Sequence, residues 1–297
     1  MIEILDAGPL TTVQDGGRFG FAALGVPRSG AFALGEMRLA NRLVGNDPGA
    51  AVLEVTFGGL AFRLRDAATV ALTGAACAGL DWGEPVSLAA GTVIRLARPE
   101  RGLRTYLAIR GGFAVPAQLG SRSTDTLSGL GPPPLRAGDR LPVGTSAGED
   151  VLGAVSGVAS HAPVLNVVPG PRDDWFDDAI GALLGTEWTV RAESNRVGIR
   201  LDGPALRRIR TEELPSEPTL PGAIQVPPDG RPILFGPDAP TSGGYPVIGV
   251  VPRDELDIAA QLRPGDALTF VLGRSLNRTV DATPRRTTPR LPPPPES

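Results

Sequence analysis

Asp238 is the residue in this sequence best placed to do chemistry. It follows the apolar run 231–235 and precedes Thr241-Ser242-Gly243-Gly244-Tyr245-Pro246, where two glycines let backbone approach a ligand that a Cβ would hold off. A carboxylate beside such a loop suits a small-molecule site; the same residues also describe a tight β-turn with an Asx-capping aspartate. Arg196 and Arg200 differ by four, so on a strand both project to one face as a carboxylate or phosphate clamp, the alternative being exposed sheet arginines. Residues 11–20 and 25–30 concentrate polar side chains, among them Asp15 and Arg18, with glycines that free the backbone, as binding loops do. In Gly120-Ser121-Arg122-Ser123-Thr124-Asp125 the arginine and aspartate could bind an anion or pair with each other, and pairing is the expectation.

What the chain lacks narrows the chemistry further. All 29 basic residues are arginines. Without lysine there is no Schiff base, no phosphate-loop lysine and no attachment point for biotin, so any biotin must arrive on another protein. A single Cys77 forbids an internal disulfide, and with His161 as the only histidine no His/Cys metal site is expected. Cys77 lies in a run of small apolar residues and reads as a buried structural thiol, while His161 reads as a solvated residue of a linker. Asp, Glu, Arg, Ser, Thr, Tyr or main-chain groups must therefore carry any chemistry. A net charge of -3 offers no excess for a phosphate backbone, which argues against nucleic acid. No stretch approaches the roughly 20 apolar residues that cross a bilayer, and the start lacks a signal-peptide pattern, so a cytoplasmic protein without membrane contact is expected.

The elements that must position these residues are mostly strands. Two short strands broken by Gly8-Pro9 open the chain, and a helix is expected over 34–44, with Arg38, Asn41 and Arg42 on its solvated face. Apolar runs at 51–56, 60–64, 69–73, 92–96 and 104–109 indicate an antiparallel system, sandwich or barrel. Further strands are expected at 164–168, 188–191 and 197–201, with a helix near 173–184 capped by Asp173. The runs 222–227 and 231–235, split by Pro228-Asp229-Gly230, read as a hairpin. Leu135-Arg136-Ala137-Gly138-Asp139-Arg140-Leu141 recurs as Leu262-Arg263-Pro264-Gly265-Asp266-Ala267-Leu268, each copy ahead of a short apolar run, which suggests two similar halves. The expectation is a mainly β protein of two compact barrel-like domains with a few helices, 1–150 and 160–273, followed by a disordered Pro-rich tail at 274–297.

The run Gly222 to Leu234, then Asp238, Thr241, Gly243 to Pro246 and Gln261 to Asp266, resembles the signature of the KipA-type family. So do the amino-terminal loop, the 120–125 loop, Ser194 to Gly198 with Arg200, and the Ser216-Glu217 pair. That family comprises the C subunit of ATP-dependent 5-oxoprolinase, also known as allophanate hydrolase subunit 2, and the related biotin-dependent carboxyltransferase part of urea carboxylase. The resemblance implies a cyclophilin-like second domain and a subunit, inactive alone, that works with a KipI-type B subunit and an A subunit to open 5-oxo-L-proline to L-glutamate using ATP. It implies Asp238 as the polarising or proton-accepting group, with Tyr245 and Gln225 as positioning donors. Arg196 and Arg200 would form the anion clamp, and Ser216, Thr241, Gly243, Gly244, Asp15 and Arg18 the substrate surroundings. It equally admits carboxyl transfer from a carrier-bound biotin to urea or a similar amide, or a non-catalytic partner of a KipI-type protein. One departure stands out: where the family reads Ser-Gly-Ala-Met-Asp, this chain has Ser29-Gly30-Ala31-Phe32-Ala33 and lacks the carboxylate.

Overall fold

The computed structural model describes residues 1–145 and 163–273. The expected linker beyond Thr145, with His161, and the expected tail lie outside the described residues. The first half contains β1 (Ile2–Ala7), β2 (Leu10–Gln14), α1 (Leu34–Leu43), β3 (Val52–Thr56), β4 (Leu60–Leu64), β5 (Ala68–Gly74), β6 (Pro85–Leu88), β7 (Val93–Arg95), β8 (Arg104–Ile109) and β9 (Arg140–Leu141). The second contains β10 (Val164–Pro169), α2 (Ala179–Leu184), β11 (Trp188–Val190), β12 (Gly198–Asp202), β13 (Glu217–Pro218), β14 (Ala223–Gln225), β15 (Ile233–Phe235), β16 (Ser242–Gly243), β17 (Val247–Val250), α3 (Leu256–Ala259) and β18 (Ala267–Leu272). The chain is mainly β, as expected. Of the described helices, none is long and apolar enough to cross a membrane.

The first half forms two antiparallel sheets, β7-β4-β1-β9 and β2-β3-β8-β5-β6. The second closes a barrel in the order β10-β17-β14-β15-β12-β11-β18, parallel only between β10 and β18. The expected hairpin is β14 with β15, which pair at Ile224 with Leu234 and Gln225 with Ile233. β6 was not foreseen; it is an edge strand opened by Pro85, short and without an apolar run.

The period of two along the central strands explains how the halves meet. β8 is buried at all six positions because its faces serve different cores. Leu107 and Ile109 pack with Ile2, Ile4 and Phe62 of the facing sheet. Tyr106 and Ala108 instead join a second core with α1 and the barrel residues Leu165, Ile224 and Leu234. β3 obeys the same rule: Leu53 and Val55 face the first core, Val52 faces the second, and Glu54, alternating with them, is turned toward the barrel. α1 is thus enclosed between sheet and barrel. Asn41 is accordingly buried and not solvated, as it was expected to be; its Nδ2 donates to Ala50 O at 2.8 Å and its Oδ1 accepts from Asn46 Nδ2 at 3.1 Å.

The repeated heptapeptide adopts one conformation twice. Gly138 and Gly265 have φ of 93° and 89°, a region open to glycine. Asp139 Oδ2 accepts from Arg136 N at 2.7 Å, and Asp266 Oδ2 from Arg263 N at 2.8 Å. Each copy leads into a strand, β9 or β18. The expected helix near 173–184 is interrupted: a short 3-10 turn spans Asp173–Trp175, and the cap of α2 is Asp178, which accepts from Gly181 N, not Asp173.

Position 33, where the carboxylate is missing, is the N-cap of α1, fully buried and without a side-chain acceptor. The acceptor comes from another element: Asp257 Oδ2 of α3 accepts from Gly35 N at 2.8 Å. Its Oδ1 has no partner, and burial raises its carboxyl to about 6. A folded-state value above the unfolded one means that its stabilising protonation is present below about pH 4 and is lost as pH rises through about 6. Asp257→Asn keeps an acceptor and never ionises. It is expected to raise stability by about 1–2 kcal/mol at pH 7.5, allowing for the side chain's partial exposure, and by almost nothing at pH 4. Urea unfolding at both pH values checks this; an equal change at each would count against the assignment.

Candidate functional site

Asp238 is 0% exposed and receives five hydrogen bonds. Arg196 Nη2 and Ser29 Oγ donate to Oδ1 at 2.9 and 2.6 Å. Arg196 Nε, Thr126 N and Thr126 Oγ1 donate to Oδ2 at 2.9, 3.0 and 2.7 Å. Burial would push this carboxyl up, but Arg196, Ser29 and Thr126 outweigh it and hold it below the usual carboxylate range. Arg196 reaches on to Glu54 through Nη1 and to Gly30 O through Nη2 at 2.7 Å. Burial alone would lower the Arg196 guanidinium; Asp238 and Glu54 hold it above its ordinary value. Glu54 also accepts from Phe32 N at 2.8 Å and Tyr106 Oη at 3.0 Å, with Arg104 Nε 3.6 Å away. Two buried carboxylates and two buried arginines therefore balance, and they join the sheet of the first half to the barrel of the second.

This geometry corrects the proton-accepting role expected of Asp238. Its lone pairs are filled by donors, and no position is left for a substrate proton. Nor do Arg196 and Arg200 form a clamp: Arg196 lies ahead of β12 and is buried in the network, while Arg200 is exposed on the strand. Gln225 is spent internally, donating from Nε2 to Tyr245 O at 3.0 Å, and the Tyr245 side chain is 45% exposed. A Cβ at Gly243 would meet the end of the Gln225 side chain, with Nε2 2.7 Å away. Gly244 and Ser216 are exposed. Asp15 is a buried loop tie, accepting from Ser121 Oγ and Ser123 Oγ at 2.6 Å, Arg122 N at 2.6 Å and Gly17 N at 2.8 Å. Arg122 and Asp125 do not pair as expected: Arg122 Nε donates to Val115 O, and Asp125 accepts from Leu127 N and Ser128 N.

The tied loops wall a cleft. Gly17 and Gly30, with φ of 92° and 90°, bring segment 15–18 against 28–31, where either added Cβ would strike backbone within 3 Å. Beside this crossing, Arg18, Arg28 and Arg253 line a cavity of about 310 Å³ with Thr241 and several prolines and small apolar residues, and no carboxylate. None of the three arginines forms an ion pair among the described residues. Arg18 is 2% exposed; its Nη2 donates to Ser123 O, but Nε and Nη1 have no partner. Arg28 lies 4.1 Å from the Phe19 ring centroid, and burial, then Arg38, lowers its guanidinium. Arg253 donates to Phe32 O and Ala31 O at 3.1 and 3.0 Å; burial, then Arg28, pushes it down to about 10. A larger cavity of about 530 Å³ shares no residue with this one. Among the described residues no cluster of His, Cys, Asp and Glu could hold a metal.

The site expected from sequence is thus divided in two. Arg18 and Thr241 reach the cleft, whereas Asp238, Arg196 and Asp15 build the frame behind it. Sequence reading missed Arg28 and Arg253. The signal available was a repeated tripeptide, Val26-Pro27-Arg28 and Val251-Pro252-Arg253, which sets an arginine after a rigid proline in each half.

Comparison with known proteins gives a consistent picture. The family model of the carboxyltransferase domain, subdomains A and B, matches residues 24–272. The C subunit of 5-oxoprolinase from Escherichia coli (strain K12) is 40% identical over 281 residues, 91% of either chain. The C subunit of the Haemophilus influenzae 5-oxoprolinase is 33% identical over 91% of this chain and 90% of that one. The crystal structure of the Kluyveromyces lactis urea carboxylase superposes with a TM-score of 0.84 and 30% identity over 91% of this chain, but only 27% of that chain, so the present chain spans about a quarter of it.

Proposed function

Because this chain belongs to the family of carboxyltransferase domains, subdomains A and B, we propose that it is the C subunit of an ATP-dependent 5-oxoprolinase that opens 5-oxo-L-proline to L-glutamate. The observation that carries this reading is the end-to-end correspondence with the C subunit of a 5-oxoprolinase, 40% identical over 91% of both chains. In this reading the closed barrel is the cyclophilin-like domain, and the chain works in the cytoplasm with a KipI-type B subunit and an A subunit.

An unactivated lactam resists water. Phosphorylating its amide oxygen makes the carbonyl carbon a better electrophile; water then adds, the C–N bond breaks with a proton passing to nitrogen, and a second water releases phosphate. The sequence has no lysine and no phosphate-loop spacing to mark a nucleotide site on this chain. What the chain supplies is a cationic, partly apolar cleft that can hold an anionic substrate and spread negative charge developing on it. Carboxyl transfer to urea is the second reading, favoured by the likeness to the urea carboxylase structure; its biotin would be held by a partner, since this sequence offers no lysine for attachment.

The purified chain with 5-oxo-L-proline and ATP is expected to form no glutamate, and addition of its B and A subunits to restore turnover. Glutamate formed by the chain alone would refute the division of labour. An inactive complete complex that carboxylates urea when given a biotinylated carrier would decide for the second reading.

A further inference from the structure

Arg18, Arg28 and Arg253 present three buried or half-buried charges to one cleft without a counter-ion in its walls. Burying a charge unpaired is costly, and a guanidinium nine-tenths buried normally has its donors engaged. Arg196 shows the ordinary solution in this same protein, with two carboxylates and a carbonyl around it. Arg18 does not follow it: two of its three nitrogens are both buried and unpartnered. The neighbours Arg28 and Arg253 repel each other, which contributes to the lowered position of Arg253. An anion entering the cleft would offset the mutual repulsion of Arg28 and Arg253, which Asp257 relieves only in part, and would lie beside the Arg18 side chain in the same wall. The rest of the wall indicates what else the ligand carries. Pro27, Pro221, Ala239 and Pro240 form an apolar surface beside the arginines, whereas a bare inorganic anion needs no such surface.

We propose that the cleft is a carboxylate subsite that takes a small organic acid, with the carboxylate among the guanidinium groups of Arg18, Arg28 and Arg253 and an apolar body against Pro27, Pro221 and Pro240. This deepens the 5-oxoprolinase reading and rests on it for the identity of the acid: a five-membered lactam bearing one ring carboxylate. Urea itself carries no carboxylate, but carboxybiotin and carboxylated urea do, so it is binding of the lactam acid itself, and not anion binding alone, that separates the two functional readings.

Isothermal titration of the full chain tests this with three probes: 5-oxo-L-proline, 2-pyrrolidinone (the same ring without the carboxylate) and inorganic phosphate. The expected result is binding of 5-oxo-L-proline with a rise in melting temperature, no measurable binding of 2-pyrrolidinone, and weaker binding of phosphate. Arg18→Gln is expected to weaken binding about 10- to 100-fold, as loss of a charge-assisted contact does. Should that variant not fold, Arg28→Gln, at a half-buried position, makes the same measurement. Equal binding of 2-pyrrolidinone would overturn the proposal, as would phosphate binding as tightly as the acid, or no binding of any probe. A complex that forms no glutamate while this chain still binds the acid through these arginines would count against the assigned reaction and leave the subsite standing.

Discussion

Asp238→Asn is expected to cost the fold about 3–5 kcal/mol, with the midpoint falling on the order of 10 °C. The reason lies in the partners. Arg196 Nε and Nη2, Ser29 Oγ, Thr126 N and Thr126 Oγ1 are all donors toward the carboxylate. Asparagine must turn its NH2 toward one set of them, setting donor against donor in a site without water access. It also leaves the positive charges of Arg196 and Arg104 facing Glu54 alone. Because the folded carboxyl lies below its ordinary value, its contribution is present above about pH 4 and is lost as pH falls through the folded value, so the variant should also show a shallower acid limb. Turnover per folded complex should fall far less than the roughly 100-fold that removing a working acid or base produces. An unchanged midpoint with turnover reduced 100-fold would return Asp238 to the chemistry and sink the structural assignment.

The fold was legible where the apolar period was regular. β1 to β5, β8, the β14–β15 hairpin and α1 follow from alternation, helical spacing and Gly or Pro punctuation, and the repeated Gly-Asp turn announced its own conformation. The enclosure of α1 was not legible, because one helix face looks solvated until a second half of the chain covers it, as the buried Asn41 shows. The site was legible as a set of loops and illegible as roles. A sequence places Asp238 near glycines, but only three dimensions show that residues 29, 126 and 196 converge on it from 209, 112 and 42 positions away. Conversely, Arg28 and Arg253 look like ordinary surface arginines in sequence; what distinguishes them is the absence of a carboxylate in the cleft that they share with Arg18.

Arg253→Gln is expected to lower kcat/KM of the assembled complex for 5-oxo-L-proline about 100-fold, close to 2.7 kcal/mol of lost binding, and mainly through KM. A group that holds the carboxylate throughout the reaction binds ground state and transition state alike, which is why the loss should fall on KM. The same substitution should leave stability within about 1 kcal/mol. Glutamine forfeits at least one of the bonds to Phe32 O and Ala31 O, at about 1 kcal/mol each. It also removes a charge that burial and Arg28 have pushed from its ordinary value to about 10, a relief on the order of 2–3 kcal/mol for a partly buried group. A binding arginine that burdens the empty fold is the expected signature of a site kept for its ligand. Arg253→Lys sharpens the test, because it retains the charge without the planar fork and should fall between wild type and glutamine in KM. If Arg253→Gln instead lowers the unfolding free energy by several kcal/mol while kcat/KM per folded complex stays unchanged, Arg253 is a strut for the 31–32 carbonyls and the cleft loses its third cation.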